Sequence, residues 1–173
     1  MRTLFISAAL AALLAACSPP AQRDTDTPQR PSVEACNSVT PDLAQQVRVQ
    51  EELAVASAAA DLRGGRITPG VYDLISARRI GAATGWQGTR AVALEVSEGQ
   101  GGVVFNLASV GQQGDTDSWT ATFTDTPENA RLAYTCGRMG EVTADFSASA
   151  DSLELRLPDG ANGSLALSFQ RRA

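Results

Sequence analysis

Apolar and polar residues alternate along the chain from Gly70 to the C-terminus. In the segment 118–125, Trp119, Ala121 and Phe123 share one face, and threonines occupy the other. Successive side chains of a β-strand point to opposite faces, so this pattern predicts a strand buried on one side. Similar patterns recur in segments 71–79, 90–97, 102–109, 130–136, 141–149, 152–157 and 163–170. The predicted inward positions of the last three are Val142, Ala144, Phe146, Ala148, Leu153, Leu155, Leu157, Leu165, Leu167 and Phe169.

Short connections rich in Gly, Asp or Pro separate these segments, as in 111–117 and 158–163. Such connections favour antiparallel neighbours, because a parallel pair needs a long crossover. We therefore predict a mainly β fold: an antiparallel meander or small closed barrel of about eight strands, over about residues 70–171. A two-sheet β-sandwich of the same strands is the alternative, since periodicity does not separate the two.

One α-helix is predicted before the strands, over about residues 41–63. Thr40 is a suitable N-cap, Pro41 suits the first helical position, and Asp42 suits the positive end of the helix dipole. The predicted apolar stripe comprises Leu43, Val47, Ala54, Ala58 and Leu62. Gly64 and Gly65 would then end the helix.

The interior of an eight-stranded barrel is either filled by side chains or left with room for one small molecule. The predicted inward positions are mainly Val, Leu, Ala and Phe, which favours a filled interior. Ligand pockets add a few convergent polar groups to apolar walls. Tyr72 and Asn106 are the candidates for such groups if their side chains point inward.

Trp86 lies in the Gly-rich connection 81–88. A tryptophan on a loop commonly anchors a protein interface, so Trp86 is the interface candidate. The alternative is that its indole folds back over the open end of the barrel, and the sequence favours neither.

The composition argues against nucleic-acid binding. The formal net charge is −5, and all 14 cationic residues are arginines. They are scattered except for the pairs Arg78–Arg79 and Arg171–Arg172, whereas phosphate binding needs a concentrated basic surface. We interpret both pairs as solvated strand or chain ends.

The sequence also predicts a non-enzymatic protein without a metal or cofactor. It contains no histidine, which removes Ser–His and Cys–His nucleophile pairs. The carboxylate pairs Glu95/Glu98 and Asp115/Asp117 are the nearest catalytic candidates, but both lie at predicted strand ends or turns. Asp115 and Asp117 also lack the rest of an EF-hand calcium loop. We therefore assign no catalytic or metal-binding residue.

The N-terminal segment has signal-peptide chemistry. Arg2 is followed by an apolar stretch that is too short to span a bilayer and ends in Leu13–Cys17. The sequence LLAAC resembles the lipobox of bacterial lipoproteins. This resemblance implies removal of residues 1–16, lipidation of Cys17 and, because Ser18 rather than Asp follows, sorting to the outer membrane on its periplasmic side. An ordinary signal peptide is the alternative.

Residues 17–35 are rich in proline and charged side chains, a composition that predicts a disordered tether. The predicted domain comprises residues 36–173. If Cys17 carries the lipid, Cys36 and Cys136 remain in an oxidising compartment. There we expect them to form a disulfide. The absence of histidine and of a CxxC motif argues against a zinc or redox site.

Two family resemblances are weaker. The strand beginning with Gly70–Leu74 behind a lipobox broadly resembles lipocalin-type barrels, although the Gly-x-Trp motif of lipocalins is absent. The stretch Leu132–Leu157 resembles the membrane-bound lysozyme-inhibitor lipoproteins in its Tyr-x-Cys strand and following hairpins. Their Ser-Gly-x-x-Tyr motif is also absent, so no inhibitory residue is assigned.

Two functions follow as hypotheses. The first is a non-enzymatic envelope lipoprotein that binds a protein or glycan partner through loops at one barrel end. The second is a lipocalin-like carrier of a small apolar ligand.

Overall fold

The computed structural model describes residues 35–52, 62–126 and 130–173. Predictions for the signal peptide, for Cys17 and for the tether up to residue 34 lie outside these residues. The strands are β1 (Val47–Glu52), β2 (Gly70–Gly81), β3 (Thr89–Gly99), β4 (Gly102–Gly111), β5 (Thr116–Asp125), β6 (Ala130–Cys136), β7 (Glu141–Ala148), β8 (Ser152–Pro158) and β9 (Gly163–Arg171).

The strands form one mostly antiparallel sheet that closes into a barrel-like ring. Each of β2 to β9 pairs antiparallel with the next, and β9 pairs with β2 to close the ring. The eight predicted strands correspond to β2–β9. Because the pairing is continuous around the ring, the strands do not separate into two sheets.

The predicted helix is wrong in the described residues, where no helix occurs and 47–52 form β1. β2 and β3 pair only from Gly70–Asp73 to Ala93–Val96. Farther along, β1 lies between them, parallel to β2 and antiparallel to β3. Val47 and Val49 of β1 alternate with polar residues, as in a strand with one buried face. This strand pairs the backbone groups that remain where β2 and β3 separate. Residues 53–61 of the predicted helix lie outside the described part.

The predicted helix start is a turn. The Asp42 carboxylate accepts a hydrogen bond from the Ala44 amide at 2.9 Å, and the Gln45 amide donates to the Asp42 carbonyl at 3.0 Å. Aspartate caps its own turn in this way as readily as it caps a helix. Leu43, expected on the buried stripe, is 59% exposed.

Side chains fill the interior of the ring. Phe105 stacks on Phe123 with ring centroids 5.0 Å apart, and Phe123 meets Phe146 edge-on at 5.0 Å. Trp119 and Tyr134 form an edge-on pair at 5.4 Å. The residues predicted to point inward on β5, β7, β8 and β9 belong to this core or pack against it.

In the described part of the chain, no helix has the length and apolar character needed to cross a membrane.

Candidate functional site

The ring has two ends, which differ in chemistry. We call one the Trp86 end; it carries the connections 82–88, 112–115, 137–140 and 159–162. We call the other the strap end, because the segment 62–69 before β2, the strap, lies against it. The strap is attached to β7 by a hydrogen bond of 2.8 Å from the Gly64 amide to the Phe146 carbonyl.

At the Trp86 end, the indole of Trp86 lies against the core. The residue is only 9% exposed and belongs to the core cluster. Its Nε1 donates to Asp117 Oδ2 at 3.1 Å. The Arg90 guanidinium lies 5.3 Å from the ring centroid, within the range of a cation–π contact. The Trp86 side chain therefore covers the end of the barrel as a plug and does not stand exposed as an interface anchor would.

Among the described residues of the Trp86 end, Arg90 is the most buried charged group, with 5% exposure. Its position on β3 follows the inward alternation of Val92 and Leu94. Nε donates to Ser109 Oγ at 2.7 Å, and Nη1 donates to Asp115 Oδ2 at 2.5 Å. The hydrogen bond from Arg90 lowers the pKa of the Asp115 carboxyl below its ordinary value.

A second arginine holds the loop between β6 and β7. Arg138 Nη2 donates to Asp117 Oδ2 at 2.6 Å, so one carboxylate oxygen binds both this guanidinium and the Trp86 indole. The Arg138 guanidinium also lies 5.8 Å from the ring centroids of Trp119 and Tyr134. The next residue, Met139, is 96% exposed. A fixed loop therefore presents an apolar side chain to solvent.

The predicted disulfide is present and braces the same loop. Cys36 and Cys136 are joined, with Cα atoms 5.5 Å apart. Asn37 Nδ2 donates to the carbonyls of Leu107 and Trp119 at 3.1 and 3.0 Å. Gly137 has φ +76°, and a Cβ there would lie 2.1 Å from the Ser118 carbonyl oxygen and 3.0 Å from Cys36 Sγ. Only glycine suits this close approach and this backbone conformation.

The two polar candidates for a convergent interior site are not brought together. Tyr72 points into the core and is fully buried, and its hydroxyl donates to the Thr68 carbonyl at 2.6 Å. Burial raises the pKa of this phenol. Asn106 is only partly buried, between the inward residues Phe105 and Leu107, and it bonds Glu95 and Thr120.

Neither of the two candidate carboxylate pairs forms a catalytic site. Asp115 and Asp117 bind different arginines, Arg90 and Arg138. Glu95 and Glu98 stand three positions apart on β3, an odd separation that places them on opposite faces. Among the described residues, no group of three or more His, Cys, Asp or Glu side chains could hold a metal ion.

The adjacent arginine pairs form ion pairs with separate acids. Arg78 binds Glu52 at 2.9 Å and Arg79 binds Glu51 at 3.0 Å. Arg171 binds Asp151 at 2.8 Å. Arg172 donates from Nη2 to Oδ1 of the buried Asp73 at 2.6 Å and from Nε to its Oδ2 at 2.7 Å. These bonds raise the pKa of Arg171 and of Arg172.

Three residues of this end were not predicted from the sequence: Arg90, Arg138 and Met139. The alternation of β3 already placed Arg90 on the inward face, and the glycines on both sides of Arg138–Met139 marked an exposed turn. No sequence signal joined Arg138 to Trp86 through Asp117, because the three residues lie on different connections or strands.

Comparison with known proteins does not assign the chain to a family. No protein-family model matches the chain. No curated protein is significantly similar to it. Among solved structures, a de novo designed fluorescence-activating β-barrel is similar, with 14% sequence identity and a TM-score of 0.42, over 61% of this chain and 94% of that chain.

Proposed function

We propose that this protein is a non-enzymatic lipoprotein of the bacterial cell envelope, whose barrel-like domain binds a protein partner through the Trp86 end. The lipobox-like LLAAC supports the lipid anchor on Cys17 and the outer-membrane, periplasm-facing location. The Cys36–Cys136 bridge is compatible with that oxidising compartment.

The exposed Met139 on its braced loop carries the partner-binding proposal. Single exposed apolar residues are common on protein surfaces, so exposure alone is insufficient. Here the disulfide, the Arg138–Asp117 ion pair and the contacts with Trp119 hold the loop in place. A fixed loop loses little conformational entropy on binding, and methionine adapts to irregular apolar surfaces.

The filled interior favours this function over that of a lipocalin-like carrier. Large side chains, including Tyr72, Phe105, Trp119 and Phe169, are almost completely buried inside the ring. They occupy the space in which a carrier of that kind would hold its ligand.

The membrane anchor is tested by Cys17→Ser. We expect this variant to move from the membrane fraction to the soluble periplasmic fraction, because several acyl chains are lost at once. Cell fractionation with immunoblotting measures the distribution, and Ser18→Ala is the control that should stay on the membrane. Retention of Cys17→Ser on membranes would contradict the anchor.

The partner surface is tested by placing the photo-crosslinking residue p-benzoylphenylalanine at the exposed position Gln112, in the producing cells. We expect a defined protein adduct that disappears when Met139→Asp is added, because a charge would replace the apolar contact. The matched control is Leu43→Asp, which makes the same apolar-to-acidic change at another exposed residue. This variant should keep the adduct.

Mass spectrometry of the adduct identifies what is bound. An adduct that survives Met139→Asp would overturn the proposed surface. A glycan adduct in place of a protein adduct would overturn the partner class.

A further inference from the structure

A cavity of about 350 Å³ lies at the strap end, opposite to the proposed partner surface. The strap forms one side of it through Ile67, which packs against the core. The other side comes from the β3–β4 hairpin and from the end of β5, including Val103 and Phe123. Phe146 completes the apolar lining.

Hydrogen bonds hold the strap on both sides of Ile67, so the cavity is a fixed feature of the fold. Gly64 pairs with β7, donating to the Phe146 carbonyl at 2.8 Å and accepting from the Ala148 amide at 3.0 Å. The Tyr72 hydroxyl donates to the Thr68 carbonyl at 2.6 Å. Ile67 lies between these two attachments and is thereby positioned against the cavity.

The chemistry of the lining suits an apolar group. Phe123 and Phe146 meet edge-on with ring centroids 5.0 Å apart, and Val103 and Ile67 add aliphatic surface. Ligand sites are concave, mostly apolar and about 300–1,000 Å³ in volume, with a few polar groups. The volume here is at the lower end of that range, which suits one alkyl chain or a fused pair of rings.

The charged residues of the cavity determine which polar group of a ligand would be favoured beside the apolar lining. Glu98, Asp125 and Arg66 belong to the lining, and all three are exposed. Among the described lining residues, two carboxylates against one guanidinium leave an excess of one negative charge. This excess favours a neutral or cationic head group and opposes an anionic one.

We propose that the strap end binds small amphiphiles, with the apolar body against Ile67, Phe123 and Phe146 and a neutral or cationic head beside Glu98 and Asp125. This site is independent of the proposed partner surface. It also differs from a lipocalin-type site, because the ligand occupies the end of the ring and not its filled interior.

The test uses the full chain carrying Cys17→Ser, so that no attached acyl chain competes, and the uncharged probe N-phenyl-1-naphthylamine. We expect saturable fluorescence enhancement, and Ile67→Asp should weaken probe binding by at least about tenfold, because a carboxylate is unfavourable in an apolar site. Ile75→Asp is the matched control, since Ile75 is 54% exposed and lies outside the cavity. It should bind the probe as the parent chain does.

Competition tests the head group. Octyltrimethylammonium should displace the probe at lower concentration than octanoate does, and Glu98→Gln should reduce that difference. Circular dichroism establishes that each variant is folded. If Ile67→Asp does not fold, Val103→Trp replaces it as the cavity-filling variant, with the partly buried Val110→Trp near the other end of β4 as control.

Three results would overturn the proposal. They are an absence of saturable binding by the parent chain, unchanged binding by a folded cavity variant, or preferred displacement by octanoate. Met139→Asp should leave probe binding unchanged, so the outcome here is distinguishable from failure of the partner surface.

Discussion

Removal of the Cys36–Cys136 bridge by a double Cys→Ser substitution is expected to lower the free energy of unfolding by about 2–5 kcal/mol. The bridge joins residues 100 positions apart, and so it restricts the unfolded chain strongly. The bridge also holds the neighbouring Asn37 in place. The side chain of Asn37 donates hydrogen bonds to backbone carbonyls of β4 and β5. Equilibrium unfolding in urea measures the change, and proteolysis within residues 37–46 should become faster.

The third cysteine supplies the matched control for this experiment. Cys17→Ser removes the cysteine that lies outside the bridge and should leave the free energy of unfolding of the domain unchanged. Treatment of the parent chain with dithiothreitol should reproduce the double variant. Equal urea midpoints for the oxidised and reduced chains would contradict a stabilising role of the bridge.

Trp86→Ala is expected to lower the free energy of unfolding by about 3 kcal/mol, because it removes a large buried side chain and leaves a cavity. The loss includes the contact with Arg90 and the hydrogen bond to Asp117. Trp86→Phe keeps most of the apolar volume but removes the indole donor, and should cost about 1–2 kcal/mol. Urea unfolding separates the two contributions.

The same variants distinguish a plug from an anchor. If Trp86 is a plug, the folded Trp86→Phe variant keeps the Gln112 crosslink, because the buried indole does not itself contact the partner. Full stability of Trp86→Ala would contradict the plug. Loss of the crosslink in a fully stable variant would instead make Trp86 part of the interface.

The strands were predictable because their signal is local. Alternation in segments such as 118–125 and 163–170 sets which side chains are buried, and glycine-rich connections end each strand. The corresponding β5 and β9 bury Trp119, Phe123, Leu167 and Phe169. A register shifted by one residue would expose all of these, so the pattern alone specifies the buried face.

The segment 41–52 was not predictable because a tertiary contact overrides its local signals. Proline and aspartate near its start are compatible with a helix N-terminus and equally with a turn. The outcome depends on β2 and β3, whose pairing ends at the Asp73–Ala93 pair, so that later residues of β2 and earlier residues of β3 have backbone groups that β1 pairs. Unpaired backbone groups are costly when buried, so their pairing outweighs small helix propensities.

The sequence by itself determined the mainly β class, the eight strands of the ring, their buried faces and the two cysteines that form the bridge, since these depend on short-range periodicity and on composition. Only the tertiary structure decided that β9 closes on β2, that β1 lies between β2 and β3, and that Trp86 covers one end. It also decided that Asp117 joins Trp86 to Arg138 and that the strap lines an open cavity together with Phe123 and Phe146. These features bring together residues distant in sequence, and their geometry follows from the curvature and closure of the whole sheet, which no local pattern encodes.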